Sequence, residues 1–215
     1  MEEVIISLKK FKTSKELAKL LARLDGGGGQ DYNVSTNLLR LYQEDLIDRS
    51  EYLAIRAKVL MGHYFGRMRQ CYPDLRGGLY FYDMDALRIW NASVAHFPDM
   101  FNEYTQGLSV EQDVPDRSPA PVYTSHAFGI EDVRRSDHPI AANHREMYEQ
   151  ASIQSFVTLP LLNGTESIGY QFISARCPRA FMEAELTFFS SASEYLIREL
   201  ASIKPFMIRQ LEQSR

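Results

Sequence analysis

The sequence predicts an α+β fold in which antiparallel hairpins sit between amphipathic helices, and three observations carry that prediction. Two pairs of aromatic or β-branched runs are each joined by turn residues: Leu79-Tyr80-Phe81-Tyr82 with Leu87-Arg88-Ile89-Trp90 across Asp83-Met84-Asp85, and residues 155–162 with 167–175 across Asn163-Gly164. Before and after them, apolar residues recur every three or four positions, the period of a helix with one buried face. The composition, 45% hydrophobic and 24% charged over 215 residues, is that of a globular chain long enough for one domain and an added element.

In order, residues 13–24 place Leu17, Leu20, Leu21 and Leu24 on one face behind a Thr13 or Ser14 cap, which predicts a short helix. Gly26 to Gly29 end it and form a hinge, since four glycines carry the largest backbone entropy of any run. They do not make a phosphate loop, because Gln30-Asp31 follows where a Lys-Ser or Lys-Thr pair is needed. Helices are expected over 35–46 and from Asp48 or Ser50 to Cys71, the second with Leu53, Ala57, Leu60, Met61, Tyr64, Phe65 and Met68 on one broad apolar face. The first hairpin follows. Residues 93–121, with Pro98, Gly107, Pro115, Pro119 and Pro121, form a long irregular connection that admits a short helix at 99–104. Residues 122–124 and 128–130 are short strand candidates, and 140–150 a polar helix after Pro139. The second hairpin leads to a final helix from about Arg179, with Phe181, Leu186, Phe189, Leu196, Ile197, Leu200 and Ile203, which Pro205 interrupts.

This order, and the wording of the second half, resembles the GAF family. The resemblance is carried by Pro121-Val122-Tyr123 leading to Ile130-Glu131-Asp132-Val133, by Ile153-Gln154-Ser155-Phe156-Val157-Thr158-Leu159-Pro160-Leu161, and by Ile168-Gly169-Tyr170-Gln171-Phe172 with Pro178-Arg179-Ala180-Phe181 and Glu185-Leu186. It implies a PAS-related antiparallel sheet of five or six strands, terminal helices packed on one face, and a small-molecule pocket on the other under the connecting loops. The domain expected is 48–215, preceded by a helical extension with its glycine hinge over 1–47. The local chemistry agrees: Pro160 late in a strand suits an edge or a bulge, and Ile168-Gly169 lets a neighbouring backbone approach closely.

Aromatic residues are abundant in and around the expected pocket: Trp90, Phe97, Phe101, Tyr104, Tyr123, Phe128, Tyr148, Phe156 and Tyr170, with Thr158 and Gln171 as polar handles. The ligand contacts expected are Trp90, Phe101, Tyr104, Tyr123, Phe128, His144, Tyr148, Phe156, Thr158 and Gln171; for each of these the bland alternative is core packing. Three histidines, His126, His138 and His144, lie near Asp132, Asp137 and Glu146, but their spacing is unspecific and no metal is assigned. His144 stands out because Tyr148 follows it by one helical turn. Arg134-Arg135 is a possible partner for an anionic group.

Within the family, the Asn-Lys, Phe, Asp-Glu pattern of cyclic-nucleotide phosphodiesterases is matched only by Phe181 and Glu185. Neither Cys71 nor Cys177 has the context of a bilin-attaching cysteine or the cysteine set of the methionine sulfoxide reductases of this fold. No GxSxG, HExxH or Cys-His arrangement is present, so no enzyme is expected. A net charge of −4 argues against nucleic acid as partner, and the apolar run 4–8 is too short for a signal or membrane span. The reading is a cytoplasmic sensory or regulatory module that binds a small ligand, its identity and any cofactor open, and signals through its terminal helices as a homodimer to a downstream signalling protein. The alternative is a ligandless interaction module whose pocket is filled by its own aromatics.

Overall fold

The computed structural model describes residues 32–83, 85–95, 97–109 and 126–213. The chain divides into two compact units, 1–67 and 68–215. The expected helix over 13–24, the glycine hinge and the strand candidate over 122–124 lie outside the described residues.

In the first unit, α1 (Tyr32–Gln43) is followed by α2 (Arg49–Cys71), whose last residues belong to the second unit. The start of α2 is fixed by a reciprocal capping pair: Asp48 Oδ1 accepts from the Glu51 amide at 2.8 Å, and Glu51 Oε2 accepts from the Asp48 amide at 2.9 Å. Ile55 and Val59 form a cluster with Leu38, Leu41 and Ile47, and Tyr42 stacks on Tyr52 with ring centroids 4.8 Å apart. These contacts add a second buried face to α2 beside the predicted one, on which Ala57, Met61, Tyr64, Phe65 and Met68 are buried.

The second unit is built on one antiparallel sheet. Its strands are β1 (Leu75–Asp83), β2 (Arg88–Ala95), β3 (Leu108–Ser109), β4 (Phe128–Ile130), β5 (Ser155–Asn163) and β6 (Glu166–Ala175), in the order β3-β2-β1-β6-β5-β4. Both predicted hairpins form. Asp83 Oδ1 accepts from the amides of Asp85 and Ala86 in the first turn, and Gly164, at φ 65°, turns the second. The hairpins pair through β1 and β6, where Gly169 lies against β1: a Cβ there would sit 1.9 Å from the Tyr80 carbonyl oxygen. Pro160 sits beyond the stretch of β5 that β4 covers and next to the bulge at Leu161/Leu162, where no ladder hydrogen bond needs its missing donor.

Alternation along the strands divides the core. Leu79, Phe81, Leu159 and Ile173 are buried on the face that carries α6 (Glu183–Gln213), with Phe189, Leu196, Leu200 and Ile203. Tyr80, Tyr82, Phe156, Tyr170 and Phe172 form the other core with Phe97, Phe101, Ile140 and Tyr148. That second core is covered by α3 (Asp99–Thr105), α4 (Pro139–Asn143) and α5 (Arg145–Gln150).

Two expectations change. The single helix over 140–150 is two, broken at His144 with φ −117° and ψ 14°. Pro205 does not interrupt the final helix, which runs on to Gln213. The ring costs one hydrogen bond to the preceding turn, but Pro205 is on the exposed side of the helix, where the ring displaces no packed neighbour.

Candidate functional site

Between the sheet and its cover lies a cavity of about 40 Å³. Its floor is made by the strand residues of one parity: Tyr80 on β1, Phe156 and Thr158 on β5, Tyr170 and Phe172 on β6. Tyr80 and Tyr170 are register partners across β1 and β6, and their rings stack at 4.9 Å and 8°. Phe156 packs between Phe172 at 5.0 Å and Tyr148 at 5.2 Å. The walls come from α3 and the start of β3, with Phe101, Thr105 and Leu108, and from the α4–α5 segment, with Ile140, Met147 and Tyr148; Phe128 on β4 adds the remaining side.

The rim carries a polar link. Tyr104 Oη lies 2.8 Å from His144 Nδ1, joining α3 to the break between α4 and α5. Tyr104 is partly exposed, and burial without a countercharge holds the His144 imidazole below its ordinary range, favouring the neutral ring. The helix break turns His144 to this position, so the departure from a regular helix is what places a titratable group at the rim.

Inside, the polar groups are phenols and hydroxyls. Thr158 Oγ1 donates to the Phe128 carbonyl at 3.1 Å, and Thr105 Oγ1 donates to the Phe101 carbonyl at 3.0 Å. The Tyr80 side chain is 1% exposed, and its hydroxyl, although next to Thr105, forms no well-made hydrogen bond among the described residues. Burial pushes the hydroxyls of Tyr80, Tyr148 and Tyr170 above the ordinary phenol range, so all three stay protonated. Among the described residues no Lys, Arg, Asp or Glu lines the cavity.

Of the ligand contacts expected from the sequence, Phe101, Tyr104, Phe128, His144, Tyr148, Phe156 and Thr158 meet around this cavity. Tyr123 lies outside the described residues. Trp90 and Gln171 are on the opposite face of the sheet. Trp90 pairs with Phe81, not with Tyr80, and its indole N–H donates to Asp83 Oδ2 at 3.4 Å. Gln171 lies between Tyr170 and Phe172 on β6, so alternation sends its side chain to α6, where Nε2 donates to the Phe189 carbonyl and the Ser193 hydroxyl. The same alternation could have found Phe172, which it places on the face of Tyr170; Tyr80 joins them only through the register of β1 on β6. Thr105, Leu108, Ile140 and Met147 come from segments with no strand period to read.

The remaining sequence candidates have structural roles. His138 caps α4, its Nδ1 accepting from the Ile140 amide at 3.3 Å, and Arg134 and Arg135 lie near Glu149 and Asp132. Arg179 pairs with Glu185 at 2.5 Å and lies over the Phe181 ring, while Glu185 also accepts the Met182 amide at the start of α6. Among the described residues no group of three His, Cys, Asp or Glu side chains is placed to hold a metal, and no helix is long and apolar enough to cross a membrane.

Neither a family model nor a curated protein matches the sequence. Solved structures do match in fold. One is the GAF domain/HD domain protein from Geobacter sulfurreducens, 15% identical with a TM-score of 0.55 over 69% of this chain and 94% of that one. Another is the blue-light absorbing form of the Thermosynechococcus elongatus PixJ GAF domain, 14% identical with a TM-score of 0.53 over 79% of this chain and 99% of that one. The curled six-stranded antiparallel sheet with its flanking helices is GAF-like.

Proposed function

We propose that the chain is a sensory or regulatory module that takes a small molecule in the cavity and passes its binding to α6. One observation carries the reading: on β6, Tyr170 and Phe172 face the cavity while Gln171 between them holds two points of α6, at 3.3 Å and 3.0 Å. A ligand that fits one arrangement of the cavity better than another shifts β6, and the buried amide carries that shift to the helix. The similarity in fold to a GAF domain/HD domain protein and to the blue-light absorbing PixJ GAF domain supports a signalling context. The role is binding and not catalysis: the titratable groups at the cavity are phenols and one imidazole bonded to a phenol, and both cysteines are exposed. In this reading the module acts in the cytoplasm, dimerises through α6 and hands its signal to a downstream protein.

The test is native mass spectrometry of the purified chain after equilibration with a low-molecular-mass cell extract, followed by hydrogen exchange over residues 183–213. An added mass lost on denaturation, with altered exchange in α6, is expected; Gln171→Leu keeps the mass and loses the change in exchange. Added mass without any response in α6 counts against signalling through that helix. A second reading rests on the small free volume: about 40 Å³ is far below the roughly 300 Å³ at which ligand pockets begin, as if the aromatics filled the site themselves. A bare chain in the same experiment favours that ligandless interaction module.

A further inference from the structure

We infer that the cavity selects a small, uncharged, mainly aromatic ligand with one hydrogen-bond acceptor, which the hydroxyl of Tyr80 engages. The inference rests on the cavity being a ligand site and adds what that site recognises.

Charge is the first discriminator. No Lys, Arg, Asp or Glu lines the cavity among the described residues, so a buried anion or cation would lose its hydration and find no countercharge. His144 does not supply one, because its burial favours the neutral ring. A cation held by ring faces is also poorly served, since Tyr80 and Tyr170 turn a face of each ring on the other. Shape comes second: the stacked pair and the Tyr148, Phe156 and Phe172 rings make flat walls that suit another ring.

The polar requirement comes from Tyr80. Thr105 and Thr158 spend their hydroxyl protons on backbone carbonyls, whereas Tyr80 has a protonated, buried hydroxyl with no well-made bond among the described residues. A buried donor left unmade is costly, and an acceptor on a ligand removes that cost. The free volume of about 40 Å³ equals only about three waters at roughly 10–15 Å³ each, so a ring enters only if the rim moves outwards. The Tyr104–His144 link is the part of the rim that yields, because it is a hydrogen bond and an edge-on ring contact joining two short elements, with Tyr104 partly exposed.

The experiment uses the full chain and four probes of similar size: acetophenone, ethylbenzene, benzoate and benzyltrimethylammonium. Affinity is read by NMR titration, and location by the methyl signals of Leu108, Ile140 and Met147. Acetophenone is expected to bind on the order of tenfold more tightly than either ion and to shift those methyls. Tyr80→Phe should weaken acetophenone about fivefold and leave ethylbenzene unchanged. Tyr104→Phe should speed the entry of both neutral probes. Benzoate or the ammonium binding as well as acetophenone at these methyls overturns the ligand class while the site stands. Equal acetophenone affinity in Tyr80→Phe overturns the role of Tyr80. If no probe moves these methyls, in the parent or in Tyr104→Phe, the ligand site and its selectivity fall together.

Discussion

Tyr80 and His144 show how single side chains set the character of this site. The Tyr80 hydroxyl is buried without a well-made hydrogen bond among the described residues, which is a liability for the fold. Tyr80→Phe keeps the ring stack on Tyr170 and removes the orphaned group; the expected result is unchanged stability or a gain of up to about 1 kcal/mol in urea unfolding. A loss of more than that would mean the hydroxyl is already satisfied. His144 gives a pH dependence whose sign follows from its lowered pKa. The unfolded chain takes up the proton first, so this group adds to stability above its ordinary value of 6.5 and the contribution is lost as pH falls through the lower folded value. Unfolding midpoints should therefore fall on acidification below about pH 6.5. His144→Gln should flatten that part of the curve; an unchanged slope would assign it to other groups.

At the scale of elements, the contact between β1 and β6 governs the cavity floor. Gly169 has φ 157°, and a Cβ would strike the Tyr80 carbonyl oxygen, a backbone atom that cannot swing aside. Gly169→Ala should cost about 3 kcal/mol or more, with the damage centred on the Tyr80–Tyr170 stack. Thermal unfolding and near-ultraviolet circular dichroism measure both; a substitution within 1 kcal/mol of the parent, on the order of a surface change, would refute the close approach. The meaning of Ile168-Gly169 was legible in the sequence, as were the hairpins and the position of Pro160. Which of Tyr170 and Gln171 reaches the ligand face was equally legible in principle, because neighbours on a strand cannot both point the same way. Composition put both on the candidate site; alternation separates them.

For the molecule as a whole, α6 presents two kinds of surface. Phe189, Leu196, Leu200 and Ile203 are spent on the sheet, while Phe206, Met207 and Ile208, past Pro205, are only half-buried. The reading of α6 as a dimer element predicts a concentration-dependent dimer in sedimentation velocity, weakened by Phe206→Glu with Met207→Glu. A monomer at the highest concentrations would remove dimerisation from the proposed mechanism and leave the cavity untouched. The sequence by itself determined the two hairpins, the helix periods and the resemblance of residues 122–200 to GAF domains, because these depend on neighbours in the chain. Only the tertiary structure decided which aromatics share a cavity, that Trp90 belongs to the other face, that a helix breaks at His144 to meet Tyr104, and how little free space remains. Those outcomes depend on strand order, register and the packing of distant segments, and no local pattern encodes the distance between two side chains forty residues apart.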